Sequence, residues 1–313
     1  MGWIVDLNTE LVRPRDRGID KLLFAFFFVD TSRSQTQKMY QLLASLAERY
    51  SNGIVCMKPF VRPLHHMVAM GSGKSKFWTR LPNSAAIFCI EMWRVTSIHL
   101  WLDRDVFSVP LRVMAGLSVT SDLIASSITI SDAGPTQIAA AITSDQGICL
   151  AYTTFPSSIE DPDNLYQNLR EYLGFLLSLL LTLKYKSLRP SASILWTTDS
   201  TTALSWAELD KCKTRGGQFA HIAVTCLQRI SGLSLHHVEL VPGISMGYVD
   251  SLSRNKPTPN LSDAMYIDLY SSKSLRTLFM ICNPIIDRTP HSHHSAFQHI
   301  HALINSFLNE FDI

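Results

Sequence analysis

The chain has 313 residues, 46% of them hydrophobic and 17% charged, with a formal net charge of +2. That is enough for one large domain or two ordinary ones with a buried core, and it excludes a disordered chain. The near-neutral balance makes no electrostatic case for nucleic acid beyond a local basic face.

The opening "MGWIVDLNTE" has neither the basic nor the apolar region of a signal peptide, and Gly2 lacks the Ser or Thr that myristoylation asks for. "GWIVDL", a turn at Asn8-Thr9 and "ELVRP" predict a hairpin. Two helices follow, over "RGIDKLLFAFFFV" and "SQTQKMYQLLASLAERY"; in the second, Met39, Leu42, Leu43, Leu46 and Ala47 recur at helical spacing. Pro59 and Pro63 are expected to break "NGIVCMKPFVRPLHHM", and "GSGKSKF" reads as a loop. Gly73-Lys74-Ser75 in that loop invites a nucleotide-binding reading. A phosphate cradle needs glycine five residues before Gly73, where Val68 stands, and no strand leads into it.

From Ala85, "AAIFCIEMWRVTSIHLWLDRD" predicts a helix whose Ile90, Trp93 and Ile98 serve packing. "SSITISD", "QIAAAIT" and "GICLAYTT" then predict an antiparallel meander, and a long helix follows over about 163–186. Its apolar run Tyr172–Leu183 is too short to span a bilayer, so no membrane is expected. A strand "ASILWTTD", a helix after Ser200, a helix near Gln218–Ile230, a strand "LHHVELV" and a helix over Tyr248–Arg254 complete the pattern. His236 and His237 are expected to be structural, one buried and one exposed. The order βββαβαβα implies an α/β fold, a mixed sheet covered by helices. Six scattered cysteines without a Cys-x-x-Cys pair suggest neither zinc nor disulfides, hence a reducing, cytoplasmic or nuclear compartment.

Four acids fall at telling places in that order. Asp132 ends the first strand of the meander, Glu171 lies early in the long helix, Asp199 ends the fourth strand, and Asp250 sits in the last helix. The first and fourth strands of such a sheet are neighbours, so their carboxyl ends share one edge. Clustered carboxylates repel one another unless cations or protons neutralise them. Hard divalent ions, Mg²⁺ or Mn²⁺, suit such a donor set, and two of them can drive phosphodiester cleavage.

These motifs also carry a resemblance. "ITISDAGPTQIAAAI" resembles the first hairpin of ribonuclease H domains in reverse-transcribing elements, where "TDAS-x-x-G-x-G" is usual. "NLREYL" is similar to the Asn-x-x-Glu pattern of that family's first helix, and "WTTDSTTALSW" to its "TDN-x-x-A" strand end. "VPGISMGYVDSLSR" matches, without gaps, the "VPG-x-x-N-x-x-AD-x-LSR" ending of retrotransposon polyproteins. In isolation Tyr248-Val249-Asp250-Ser251 looks like a polymerase turn that has lost its second acid. Val241-Pro242-Gly243 upstream puts Asp250 in the ribonuclease H frame instead. "GWIVDL…VRP" and "LASLAERY…KPFVRPL" resemble the thumb and connection after a polymerase palm, and "IEMWRV" is most like tyrosine-recombinase (DIRS-like) elements.

The resemblance implies a ribonuclease H-like five-stranded mixed sheet flanked by helices over 121–256. A thumb/connection-like segment over 1–70, a helical linker over 71–120 and a C-terminal tail of unknown role over 257–313 would make up the rest. No palm sequence is present, so a reverse-transcriptase palm is expected upstream or in trans. The implied activity is hydrolysis of the RNA strand of an RNA–DNA hybrid with two Mg²⁺ ions, Mn²⁺ being an alternative. Asp132 and Asp199 are the implied principal ligands. Glu171 would hold the second ion and contact a 2′-hydroxyl, and Asp250 would complete the site. Lys211, Lys213 and Arg215 are candidate phosphate contacts. Gln137 and Ala139 stand where the family has glycine, Met246 where it has Asn and Val249 where it has Ala. The alternative these departures suggest is a catalytically inactive, retroelement-derived nucleic-acid-binding or scaffold domain. The tail's "HSHHSAFQHIH" is expected to be helical or solvated rather than metal-ligating.

Overall fold

The computed structural model describes residues 3–310 apart from 10, 76, 106–107, 111–126, 158–165, 186–192, 210–211, 213, 232, 259–260 and 283–289. The chain divides into two compact units, 1–120 with 288–295 and 121–287 with 296–313.

The first unit opens on an antiparallel hairpin of β1 (Trp3–Asp6) and β2 (Leu11–Pro14). The Asp6 carboxylate accepts from the Asn8 amide at 2.9 Å, a side-chain turn typical of Asp. Helix α1 (Asp16–Phe27) buries Ile19, Leu22, Ala25 and Phe26 on one face. The short β3 (Gln35–Thr36) leads into α2 (Gln37–Ser51), where the Thr36 hydroxyl caps the helix by accepting from the Met39 amide. The stripe that α2 buries is not quite the expected one. Tyr40 sinks into the core, its hydroxyl donating to Arg80 O at 2.9 Å, and this turns Leu42 outward to 47% exposure.

A 3₁₀ helix (Val55–Phe60) and α3 (Arg62–Gly71) come next. Of the expected breaks at Pro59 and Pro63, one is found, at Val61 between the two helices. Pro59 is accommodated in the 3₁₀ helix, and Pro63 sits in the first turn of α3, where a missing N–H loses no helical bond. Strand β4 (Thr79–Arg80) pairs with β3, and Asn83 caps α4 (Ser84–Leu102). The Trp93 indole, wholly buried, donates to Phe60 O at 3.2 Å, so that residue packs rather than offering a stacking surface. By length and composition α4 is able to cross a membrane, but 56% of its apolar stretch is buried in protein. Arg94 ties it to α1 by donating to Phe26 O and Val29 O, which is how a core helix behaves. Strand β5 (Val109–Pro110) pairs with β2.

The second unit begins with the meander of β6 (Ser127–Ala133), β7 (Gln137–Thr143) and β8 (Cys149–Pro156). Then come α5 (Gln167–Tyr185), β9 (Ser193–Thr198), α6 (Thr201–Leu209), α7 (Arg215–Ser231) and β10 (Ser234–Leu240). A 3₁₀ turn (Gly243–Met246) leads into α8 (Gly247–Ser253). Beyond it lie β11 (Met265–Tyr266), α9 (Lys273–Cys282) and α10 (Pro290–Glu310), the last belonging to this unit from Ala296 onward. The sheet order is β10-β9-β6-β7-β8-β11, with β9 parallel to both neighbours and β7 antiparallel to both of its own. This is an α/β architecture compatible with the ribonuclease H-like fold. The sheet has six strands where five were expected. The sixth, β11, is two residues long and pairs with β8, too short to leave a periodic signal.

Strand alternation gives the sheet two distinct faces. Helix α5 lies on one, buried along Leu169–Leu183 because it sits between the sheet and α7. Its Gly174 permits the approach: a Cβ there would stand 2.7 Å from Ser131 Oγ. That same oxygen accepts from Trp196 Nε1 at 2.9 Å, and the Trp196 ring stacks on Phe175. Helix α8 covers the other face, where Met246 and Val249 pack on Ile130, Ala139 and Ala141. At the β10 edge, His236 and His237 are both exposed, contrary to expectation. The register slips between Leu235 and His237, and a bulge of this kind interrupts the alternation that would have buried one of them. The His-rich segment of the tail falls in helix α10.

Candidate metal centre

Parallel pairing of β6 with β9 sets Ile130 opposite Thr197, so Asp132 and Asp199 each follow that register by two residues. The first turns of α5 bring in Glu171. One carboxylate oxygen from each of Asp132, Glu171 and Asp199 lies within 4.8 Å of the others. Oxygens on opposite sides of one Mg²⁺ are about 4 Å apart, at roughly 2.0–2.1 Å per bond. Asp132 and Glu171 are each only 5% exposed, whereas Asp199 faces solvent.

Glu171 is the most constrained of the three. Its Oε1 accepts from Gln167 Nε2, one helical turn earlier. Gln167 also donates to Ala133 O at 2.6 Å, while its own Oε1 accepts from the buried Arg170 guanidinium at 2.8 Å. A guanidinium is a donor only, so Arg170 fixes which end of the Gln167 amide faces Glu171. The other oxygen, Glu171 Oε2, is buried without a hydrogen-bond partner. Burial, with the charges of Asp132 and Asp199 added, pushes the Glu171 carboxyl well above the usual carboxylate range. Burial likewise raises Asp132, helped by Asp199 and Asp250 and opposed by a hydrogen bond from Ser253. Three grouped carboxylates, one of them with a buried and unpartnered oxygen, are chemistry suited to a hard divalent cation.

Two glycines make room for this arrangement. A Cβ on Gly243, from "VPG", would stand 2.8 Å from Asp199 Oδ2. On Gly134, just past Asp132, it would come within 2.2 Å of the Ser253 carbonyl, so the β6–β7 turn touches the end of α8 there.

Asp250 stands outside the group of three. It is partly exposed, and its Oδ1 accepts from Arg254 Nε at 2.6 Å. Arg215 opens α7 and is exposed, while Lys211 and Lys213 lie outside the described residues. Tyr248, of the polymerase-like "YVDS", is partly buried against the Ile130 cluster.

Four residues with a part in the site carried no role in the sequence reading: Gln167, Arg170, Ser253 and Arg254. Ser253 donates to Asp132 Oδ2 and to Asp250 O. The signals were there, in the Asp-x-Leu-Ser-Arg ending and in the four-residue spacing of Gln167 to Glu171. The departures from the family pattern prove to be packed. Gln137 donates to Leu252 O at 2.8 Å, and Ala139 lies opposite Asp132 beneath α8, in one cluster with Met246 and Val249.

No protein-family model matches the chain, and no curated protein is similar to it. Among solved structures, a foamy viral protease–reverse transcriptase in complex with double-stranded DNA is similar at 12% identity with a TM-score of 0.25. That likeness covers 77% of this chain but 38% of that one, well under half of its length. So distant a likeness leaves the functional reading to rest on the fold and the site.

Proposed function

We propose that the second unit is a ribonuclease H-type endonuclease that hydrolyses the RNA strand of RNA–DNA hybrids, within a retroelement reverse transcriptase. The observation that carries this reading is the convergence of Asp132, Glu171 and Asp199, with Glu171 Oε2 buried and unpartnered. Asp132 and Asp199 would be the principal ligands of two Mg²⁺ ions, and Glu171 would supply a further ligand. Divalent ions held there would supply charge neutralisation at the phosphodiester and a lowered pKa for the attacking water. Glu171 also meets the substrate 2′-hydroxyl, the group by which RNA differs from DNA. Asp250 orients the attacking water from the rim, and Arg215, with Lys211 and Lys213, contacts phosphates. The products are 5′-phosphate and 3′-hydroxyl ends, and a polymerase palm works upstream or in trans.

The test is cleavage of a labelled RNA–DNA hybrid with Mg²⁺ by wild type, Asp132→Asn and Asp199→Asn. Loss of cleavage in both variants is the expected result. Wild type cutting no faster than the variants would sink the reading. One observation favours the second reading, a catalytically silent nucleic-acid-binding domain: Asp250 is engaged by Arg254 rather than gathered with the other three acids.

A further inference from the structure

A groove of about 570 Å³ opens on the α8 side of the sheet, walled by Gln137, Tyr152, Thr154, Leu252, Lys256 and Tyr266. Strand register places it relative to the carboxylates. Asp132 pairs with Ala139 and Ala139 with Thr154, while Ile130 pairs with Ala141 and Ala141 with Tyr152. Directly opposed residues share a face. Tyr152 and Thr154 therefore lie on the face that carries Asp132, two strands away, or roughly 10 Å at ~4.8 Å per strand. Helix α8 covers the row between them and ends with Leu252 on the groove wall and Ser253 on Asp132. Groove and Asp132 share one face of the sheet, on either side of α8.

The wall chemistry narrows the occupant. The Tyr152 and Tyr266 rings lie 5.3 Å apart, and Tyr266 is 50% exposed. Lys256 is exposed and makes no ion pair among the described residues. Among the described residues no carboxylate lines the groove. Open aromatic faces beside an unpaired ammonium fit a base stacked on a ring with its phosphate on the cation. The volume falls within the range of small-ligand sites, ample for one nucleotide.

We propose that this groove holds a nucleotide of a single-stranded segment continuing from the strand at the metal centre, with the base on Tyr266 and the phosphate on Lys256. The assignment rests on the nuclease reading for the presence of a strand at that centre. The distance corresponds to about three stacked nucleotides at ~3.4 Å each. Titrating the full chain into a fluorescent oligouridine octamer in EDTA measures binding apart from cleavage. Tyr266→Ala is expected to bind about tenfold more weakly and Tyr266→Phe like wild type. Lys256→Ala is expected to lower the salt slope by about 0.7. Absence of wild-type binding, or wild-type affinity in Tyr266→Ala, overturns the proposal. Reading binding in EDTA and hybrid cleavage in Mg²⁺ separately keeps the two readings apart. If wild type cuts no hybrid but Tyr266→Ala still weakens binding, the nuclease reading falls and the groove stands.

Discussion

Glu171 illustrates what one buried carboxyl does to a whole chain. Its charged form is disfavoured in the folded state by burial and by two neighbouring acids. The folded chain therefore holds the proton more tightly than the unfolded one. The resulting stability is fully present below the ordinary carboxylate range, about pH 4, and is lost as pH rises through the raised folded value. In EDTA, the melting temperature of wild type should fall between pH 5 and pH 8 relative to Glu171→Gln, which keeps the Gln167 bond but carries no charge. Mg²⁺ should restore more stability to wild type at pH 8 than at pH 5, and little to Glu171→Gln at either. A wild-type curve parallel to that of Glu171→Gln across the interval would show that Glu171 is not a strained acid.

At the scale of elements, two glycines separate positioning from folding. On Gly243 the clash of an added Cβ is with the tip of the Asp199 side chain, whereas on Gly134 it is with the backbone carbonyl of Ser253. Gly243→Ala should fold normally yet bind Mg²⁺ about 10–100-fold more weakly, as displaced ligands do. Gly134→Ala should cost roughly 1–3 kcal/mol of stability by prising α8 from the β6–β7 turn. Calorimetric titration and denaturant melts distinguish the two, and equal effects on both measures would contradict the assignment.

The same scale shows what the sequence makes legible. Asp132, Asp199 and Glu171 stand at element ends set by local periodicity, so their places in the fold could be read from the chain. Arg254 with Asp250 and Gln167 with Glu171 are four-residue helix pairs whose spacing was likewise open to reading. The role of Ser253 was not, because it is a contact across 121 residues. The exposure of Leu42 and the bulge at His236 were hidden for the same reason: each depends on a neighbouring element, not on local pattern.

For the whole molecule, the division into two units matters more than composition. The second unit contains the six-stranded sheet, both of its helical faces and all four acids. Residues 121–313 expressed alone are expected to melt cooperatively and to show the same Mg²⁺-dependent rise in melting temperature that is expected of the full chain. A non-cooperative melt would mean that the first unit completes the core. The net charge of +2 would leave any nucleic-acid binding to a few local cations, so its salt dependence should be shallow.

Helix α8 acts as a gauge of chain length. Its Met246–Val249 end is seated in the core, and its last turn hands Ser253 to Asp132 and Arg254 to Asp250. One residue inserted between Val249 and Ser253 would swing both side chains by about 100° around the helix axis while the seat stayed filled. The segment can therefore tolerate a change of residue type at Met246 or Val249, but it cannot absorb a change in count.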